Sequence, residues 1–350
     1  MADAAQVTIL NTGESYLCPT GIALLDAGLA AGLHIPHSCR GGACGTCKAR
    51  VVDGQVDHGW VMSFAITDEE KAEGFCLTCQ SKPLSGRIVL QMVNPMLARE
   101  AESVVVPAEM EAQVLAAHKV TPTVLRLVLA PPPTMRFAFH AGQNLELVIP
   151  GLDQPRPYSM AHAPAGDGTA PDGQLAFYVT RHDQGRASAW LHDTVRVGDV
   201  LTVRGPYGEF HLPRGDAPVL GLAGSTGLSP ILSLVEMALA AGLEAPVKVL
   251  ASVRDRSEVF ALEALTALAR RYANFTFGFT LTRQKDAGEP WLTGRIPAIL
   301  EREHPDLSAT RVLIAGAPSF VDDVRAAVLL RGAVPDAVAI DSFVSRQPMA

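Results

Sequence analysis

The placement of the cysteines constrains this chain more than any other feature. Cys39, Cys44 and Cys47 stand at C-x4-C-x2-C, and Cys79 follows after 31 intervening residues. At this spacing four thiolates can share a 2Fe-2S cluster. Two bridged irons need soft sulfur ligands, four in all, and one loop supplies three of them. Within Ser38–Gly45, Gly41, Gly42 and Gly45 lack Cβ atoms, so the backbone can bend round a cluster and point N–H groups at its sulfurs. Such contacts tune the potential. The same residues contain two C-x-x-C pairs, Cys44/Cys47 and Cys76/Cys79, which is also a zinc-ribbon pattern. That alternative leaves Cys39 and the glycine-rich loop unexplained. Cys18 and Cys76 are assigned as buried structural thiols.

No cysteine follows Cys79, so the six mark an N-terminal module in a chain of 350 residues, a length that suggests two to three domains. The chain is 48% hydrophobic and 19% charged, an ordinary balance that can fill several cores. A net charge of −7 argues against nucleic acid, whose phosphates demand a basic face. Met1 to Leu10 has no basic stretch followed by an apolar one, and no apolar run reaches the roughly 18 residues that span a bilayer. A cytoplasmic location is expected, without a membrane partner. A disulfide scaffold is not expected there, because thiols are kept reduced.

In the first module, Gln6–Leu10 and Gly86–Val93 read as strands and Thr20–Ala31 as a helix. Residues 94–108, bounded by Pro95 and Pro107, read as a linker. From 109 to 214 short apolar runs alternate with turns: Ala112–Ala116, Val124–Leu129, Asn144–Ile149, Leu175–Thr180 and Val200–Val203. Pro131-Pro132-Pro133, Pro150-Gly151 and Gly205-Pro206 are the turn signals. This rhythm predicts an antiparallel β-barrel. From 215 to 350 strands alternate with helices: Pro218–Ala223, Leu228–Ala241, Val247–Val253, Val259–Arg271, Phe275–Thr282, Ile296–Glu303, Arg311–Ile314 and Phe320–Arg331. That order predicts a doubly wound parallel α/β domain.

Ser38-Cys39-Arg40-Gly41-Gly42-Ala43-Cys44-Gly45-Thr46-Cys47 resembles the cluster loop of plant-type ferredoxins, a likeness that covers residues 1–93 and implies a β-grasp fold with Cys39, Cys44, Cys47 and Cys79 as iron ligands. Arg156-Pro157-Tyr158-Ser159, then Gly185-Arg186-Ala187-Ser188, then Gly205-Pro206-Tyr207-Gly208, occur in the order found in the FAD domain of the ferredoxin–NADP reductase superfamily. Alone, the first tetrapeptide would read as a surface turn. The resemblance implies that Arg156 pairs with the FAD pyrophosphate through its forked donors. It places Tyr158, with Pro157 before it, against the isoalloxazine and Ser159 near N5. Gly185, Arg186 and Ser188 would serve the phosphates at a helix start.

Gly224-Ser225-Thr226-Gly227-Leu228-Ser229-Pro230 joins a predicted strand to a predicted helix, a turn that lets phosphate sit against backbone N–H groups. It resembles the superfamily's G-G-T-G-x-x-P segment, with Ser225 at the second position, and differs from the G-x-G-x-x-G fingerprint. Ala315-Gly316-Ala317-Pro318 resembles the C-G-x-P element beside the nicotinamide, with Ala315 in place of cysteine. Asp341-Ser342-Phe343 resembles the acidic-x-aromatic element, with Phe343 covering the flavin face that nicotinamide must approach. Arg254-Asp255-Arg256-Ser257 contains residues suited to either coenzyme: Arg254 or Arg256 to a 2′-phosphate, Asp255 to a ribose hydroxyl. NADH is the expectation, because reductases of this domain order mostly use it, with NADPH the alternative.

The whole chain is similar to the reductase components of bacterial multicomponent oxygenases, such as benzoate and terephthalate dioxygenase reductases. This implies hydride transfer from NAD(P)H to FAD, then single electrons through a 2Fe-2S cluster to a terminal oxygenase or other iron–sulfur acceptor. Oxygen chemistry would belong to that partner. The reductase partner of a deoxysugar dehydratase shares the domain order. An electron carrier or sensor with a degenerate flavin site is a further alternative, against which intact Arg156, Tyr158 and Ser159 stand.

Overall fold

A computed structural model describes residues 4–33, 35–37, 39–93, 105, 107–284 and 288–343. Of the expected linker only Val105, Pro107 and Ala108 are described, and Ser38 of the cluster loop lies outside the described residues. The described residues fall into two compact units, one ending at Val93 and the other spanning Val105–Phe343.

The first unit comprises β1 (Ala4–Ile9), β2 (Ser15–Pro19), α1 (Leu24–Ala30), β3 (Lys48–Asp53), β4 (Val56–Asp57), α2 (Asp68–Ala72), β5 (Phe75–Leu77), β6 (Lys82–Pro83) and β7 (Arg87–Met92). Its main sheet runs β2-β1-β7-β3-β5. Only β1 and β7 pair in parallel, which gives the β-grasp arrangement expected. Alternation does the sorting: β1 buries Ala5, Val7 and Ile9 and turns the residues between them outward. The helix starts at Leu24 and not at Thr20. Ile22 N donates to Pro19 O at 3.1 Å in a turn, and Ala23 is extended. Gly28 sits in α1 because a Cβ there would come within 2.3 Å of Ile35 Cδ1.

The second unit opens with the barrel: β8 (Ala108–Lys119), β9 (Val124–Ala130), β10 (Asn144–Leu147), β11 (Arg156–Ser159), β12 (Leu175–Thr180), α3 (Arg186–Asp193) and β13 (Val200–Tyr207). The antiparallel order is β11-β10-β13-β8-β9-β12, and the bridge Met160↔Phe177 closes it. One reading is corrected here. Gly205-Pro206 is not a turn but the end of β13. Proline is tolerated there because the β10–β13 register shifts between Asn144 and Glu146, a bulge that spares the missing donor. Arg156–Ser159 is an edge strand, where Pro157 again costs no central ladder bond. Phe139 and Phe177, both fully buried, fill the barrel core, each worth roughly 2–3 kcal/mol of burial.

Then follow β14 (Val219–Gly224), α4 (Leu228–Ala240), β15 (Val247–Val253), α5 (Leu262–Arg271), β16 (Phe275–Leu281), β17 (Leu292–Thr293), α6 (Ile296–Glu303), β18 (Arg311–Gly316), α7 (Pro318–Leu330) and β19 (Val338–Ser342). All pairs are parallel, in the order β17-β16-β15-β14-β18-β19. β18 is buried along its whole length, as a parallel strand covered on both faces must be. Strand order reverses between β14 and β18, so a crevice opens at their carboxyl ends, Gly224 and Gly316.

Candidate functional site

In the first unit the loop after α1 wraps around Cys39. The backbone N–H groups of Gly41, Ala43 and Cys44 point at Cys39 Sγ at 3.4, 3.5 and 3.3 Å. Gly42 has φ 77, and a Cβ there would strike Trp60 O at 2.6 Å, so the bend needs glycine. The Cys44 side chain, with these N–H groups, pulls the Cys39 thiol below its ordinary value. Cys44 and Cys79 are pushed well above theirs, chiefly by the neighbouring Cys39 and Cys47 sulfurs. Crowded sulfurs, with N–H donors aimed at one of them, fit a cationic metal core that takes them as thiolates. Among the described residues no group of three or more His, Cys, Asp or Glu is arranged to hold a metal ion. A two-iron cluster does not require one, since each iron takes two thiolates. Cys18 and Cys76 are fully buried in the module core, and burial raises both thiols.

In the second unit, β11 displays Arg156, Pro157, Tyr158 and Ser159 opposite Leu147, Glu146, Leu145 and Asn144. Arg156 Nη1 donates to Gln154 O at 2.8 Å, which draws the guanidinium back along its own strand. Asn144 Oδ1, opposite Ser159, is buried without a protein donor, an acceptor that suits a ligand edge. Gly185 precedes α3, and a Cβ there would lie 2.6 Å from Ser188 Oγ. Ser188 Oγ accepts from His182 N at 3.1 Å and donates to Gly185 O at 3.1 Å, so it shapes the loop before it can face a phosphate. Arg186 Nη2 donates to Gly151 O at 2.9 Å.

The glycine turn sits at the crevice. A Cβ on Gly227 would lie 2.1 Å from Ala315 O, and one on Gly224 would meet the Phe320 ring at 2.8 Å. The two loops can approach only as glycines. Ser225 has φ 50, the left-handed region that glycine favours, which explains why the family pattern has glycine there. The barrel offsets the strain: Thr180 Oγ1 contacts Ser225 Oγ at 3.3 Å and Thr226 Oγ1 at 2.9 Å. Pro230 lies in the first turn of α4, and Pro318 opens α7. Gly316 has φ 151, and its carbonyl accepts from Phe343 N at 2.8 Å.

Asp341, buried and paired in register with Ala315, receives Ser159 Oγ at 3.4 Å. Residues from three sequence elements, Ser159, Gly316 and Asp341–Phe343, therefore meet where the barrel faces the crevice. Arg254 Nη2 donates to Glu258 Oε1 at 2.7 Å. Arg256 lies over the Trp291 ring, 5.7 Å from its centroid. The sequence carries no sign of the parts played by Asn144 and Thr180, which are ordinary strand residues until the fold juxtaposes them.

Three family descriptions match in the order read from the motifs: "2Fe-2S iron-sulfur cluster binding domain" over residues 7–84, "Oxidoreductase FAD-binding domain" over 111–212 and "Oxidoreductase NAD-binding domain" over 222–326. The reductase component of propane 2-monooxygenase from Mycolicibacterium smegmatis is 30% identical over 92% of each chain. The reductase subunit of aromatic O-demethylase from Amycolatopsis sp. is 33% identical over 78% of this chain and 80% of its own. This chain belongs to the reductase components of bacterial multicomponent oxygenases. In this reductase family the Amycolatopsis cytochrome P450 reductase GcoB has a solved structure that superposes with a TM-score of 0.77 at 28% identity, covering 97% of this chain and 98% of that one. The family assignment decides for the cluster over the zinc ribbon, and FAD and a nicotinamide nucleotide are the other cofactors of this reductase. No described helix is long and apolar enough to cross a membrane.

Proposed function

We propose that this chain oxidises NADH and delivers single electrons to a terminal oxygenase component. The Ser159–Asp341 contact carries this reading, because it joins the predicted flavin strand to the nicotinamide crevice. When bound, FAD and the 2Fe-2S cluster together convert a two-electron hydride donor into a one-electron source, and the protein supplies placement and electrostatics. Gly224–Gly227 and the start of α4 offer backbone N–H groups to the coenzyme phosphates. Gly316, held by Phe343 N, leaves room for the nicotinamide, and Phe343 guards that approach until the coenzyme displaces it. Ser159 orients a hydroxyl at the reacting edge, and Asp341 steers it. Arg156, freed from Gln154 O, and the Gly185–Ser188 loop hold the FAD phosphates, with Tyr158 and Pro157 lining the ring. In the N-terminal unit Cys39, Cys44, Cys47 and Cys79 hold the cluster, and the N–H groups on Cys39 favour extra negative charge on its sulfur.

The domain boundaries 1–93, 109–214 and 215–350 are part of the same proposal, as is a cytoplasmic location, which six cysteines without a disulfide support. The test is protein purified without air and assayed for flavin, iron and acid-labile sulfide, then mixed with NADH. One FAD released on denaturation, two irons with two sulfides, and a rhombic EPR signal on reduction are expected. Zinc in the cluster module, or an Arg156→Ala variant with full FAD content, would overturn the assignment.

A further inference from the structure

We propose that Glu258 sets the coenzyme preference by cancelling the charge of Arg254. The inference rests on the reading above that a nicotinamide nucleotide binds at the β14–β18 crevice. Arg254 is the first residue past β15, and β15 lies beside β14 in the register Gly224↔Ser252. The adenosine ribose of a dinucleotide is read at such a strand end, where a free guanidinium favours a 2′-phosphate and a carboxylate favours a 2′-hydroxyl. Arg254 is not free. Its Nη2 donates to Glu258 Oε1 at 2.7 Å and to Thr123 Oγ1 at 3.2 Å. Its side chain is 46% exposed, so the charge stands at the surface that a coenzyme would meet.

Glu258 is held firmly. It is 8% exposed, and its Oε2 accepts from Thr121 Oγ1 at 3.3 Å and from Thr123 Oγ1. Thr121 Oγ1 itself accepts from Val124 N at 2.9 Å, which leaves its proton for the carboxylate. Both threonines belong to the β8–β9 turn of the barrel. The barrel thus fixes the carboxylate, and the carboxylate fixes the arginine. Next along, Asp255 Oδ1 accepts from Ser257 N at 2.9 Å and Ser257 Oγ at 2.6 Å, which orients a carboxylate suited to ribose hydroxyls. Arg254, Asp255, Arg256 and Glu258 sum to zero charge, so the segment offers a 2′-phosphate dianion no net attraction. Removing the Glu258 charge leaves the segment at +1.

The test uses the purified reductase with its FAD, reducing ferricyanide with NADH or NADPH at low ionic strength. Glu258→Gln keeps the shape and the hydroxyl contacts but removes the charge. The ratio of kcat/KM for NADPH to that for NADH should rise about tenfold, mostly through the KM for NADPH. The gain should shrink with added salt and vanish in the Glu258→Gln/Arg254→Gln double variant. An unchanged ratio, or an equal loss with both coenzymes, would overturn the proposal, the second showing Glu258 to be only a strut between barrel and nucleotide fold. Should Glu258→Gln not fold, the parent protein still decides. There 2′,5′-ADP and 5′-AMP should inhibit NADH oxidation equally within about threefold. A tenfold advantage for 2′,5′-ADP would mean that Arg254 is already available. The parent's NADH turnover is read in the same assay, and its absence would sink the functional reading and not this one.

Discussion

Ser159 Oγ reaches Asp341 Oδ2 at 3.4 Å, joining residues 182 positions apart in sequence. Both are nearly buried, Ser159 at the end of barrel edge strand β11 and Asp341 in the last strand of the nucleotide sheet. The separation is long for a hydroxyl donating to a carboxylate. The contact therefore orients the hydroxyl without locking it, as the role proposed for Ser159 requires.

Removing that hydroxyl should separate chemistry from binding. Ser159→Ala is expected to retain FAD and to leave coenzyme binding within about threefold, while flavin reduction by NADH slows by at least about tenfold. A stopped-flow bleach measures this directly. Parent-like rates in the variant would remove Ser159 from the reacting edge.

Loss of one cluster ligand should divide the activities. Cys79→Ser replaces a soft thiolate with a poor ligand. NADH should still drive ferricyanide, which takes electrons from flavin, whereas cytochrome c reduction and oxygenase turnover should fall sharply. Full cytochrome c activity in a variant shown to lack iron would mean that electrons leave from the flavin. Loss of both activities would show that the cluster unit is needed to keep the rest intact.

A tight steric constraint lies at Gly227. A Cβ there would sit 2.1 Å from Ala315 O, a backbone atom in a fully buried strand that cannot yield cheaply. Gly227→Ala should cost about 1–3 kcal/mol of stability and raise the KM for NADH by about tenfold or more, with cluster content unchanged. Thermal melts and steady-state kinetics on one preparation check both, and a parent-like KM would place the coenzyme phosphates elsewhere.

Two barrel histidines should make stability pH-dependent. His162 accepts from Ala176 N at Nε2, at 3.0 Å, and His192 donates from Nε2 to Val179 O at 2.8 Å. Burial holds both below the ordinary value of 6.5, so the folded rings stay neutral where unfolded ones take up a proton. Their contribution is present above about pH 6.5 and is lost progressively as the pH falls through and below that value. The melting temperature should drop between about pH 7.5 and about pH 5.5, and His192→Gln, which retains an N–H donor, should flatten the slope. A melting temperature constant over that range would contradict the assignment.

What could be read from sequence was periodicity and local chemistry. β12 at Leu175–Thr180 alternates cleanly and β15 at Val247–Val253 is a bounded apolar run, and both lie where the pattern put them. β11 does not announce itself, because Arg-Pro-Tyr-Ser has turn chemistry and becomes a strand only as an edge beside β10. α5 starts at Leu262 and not at Val259 because Phe260 leaves the helical path to pack on Tyr178, with ring centroids 4.8 Å apart, and Ala261 turns at φ 56. The cluster domain was legible because the spacing of Cys39, Cys44, Cys47 and Cys79 is that of a 2Fe-2S loop. Arg254 and Glu258 stand at helical pairing distance, yet the hydroxyls that fix Glu258 come from 135 and 137 residues away. Thr180 and Asn144 gain their meaning only from the fold.

The position of β19 has a consequence for biosynthesis. It supplies Asp341 to Ser159, and the Phe343 amide just after it bonds to Gly316, yet the ribosome makes it after every other described strand of this unit. Domains close in the order in which they emerge. The cysteine-bearing unit can therefore be complete, and ready to receive iron, while the nucleotide crevice still lacks its last strand. A nascent chain at that stage can be loaded with a cluster but has no finished place for the hydride donor.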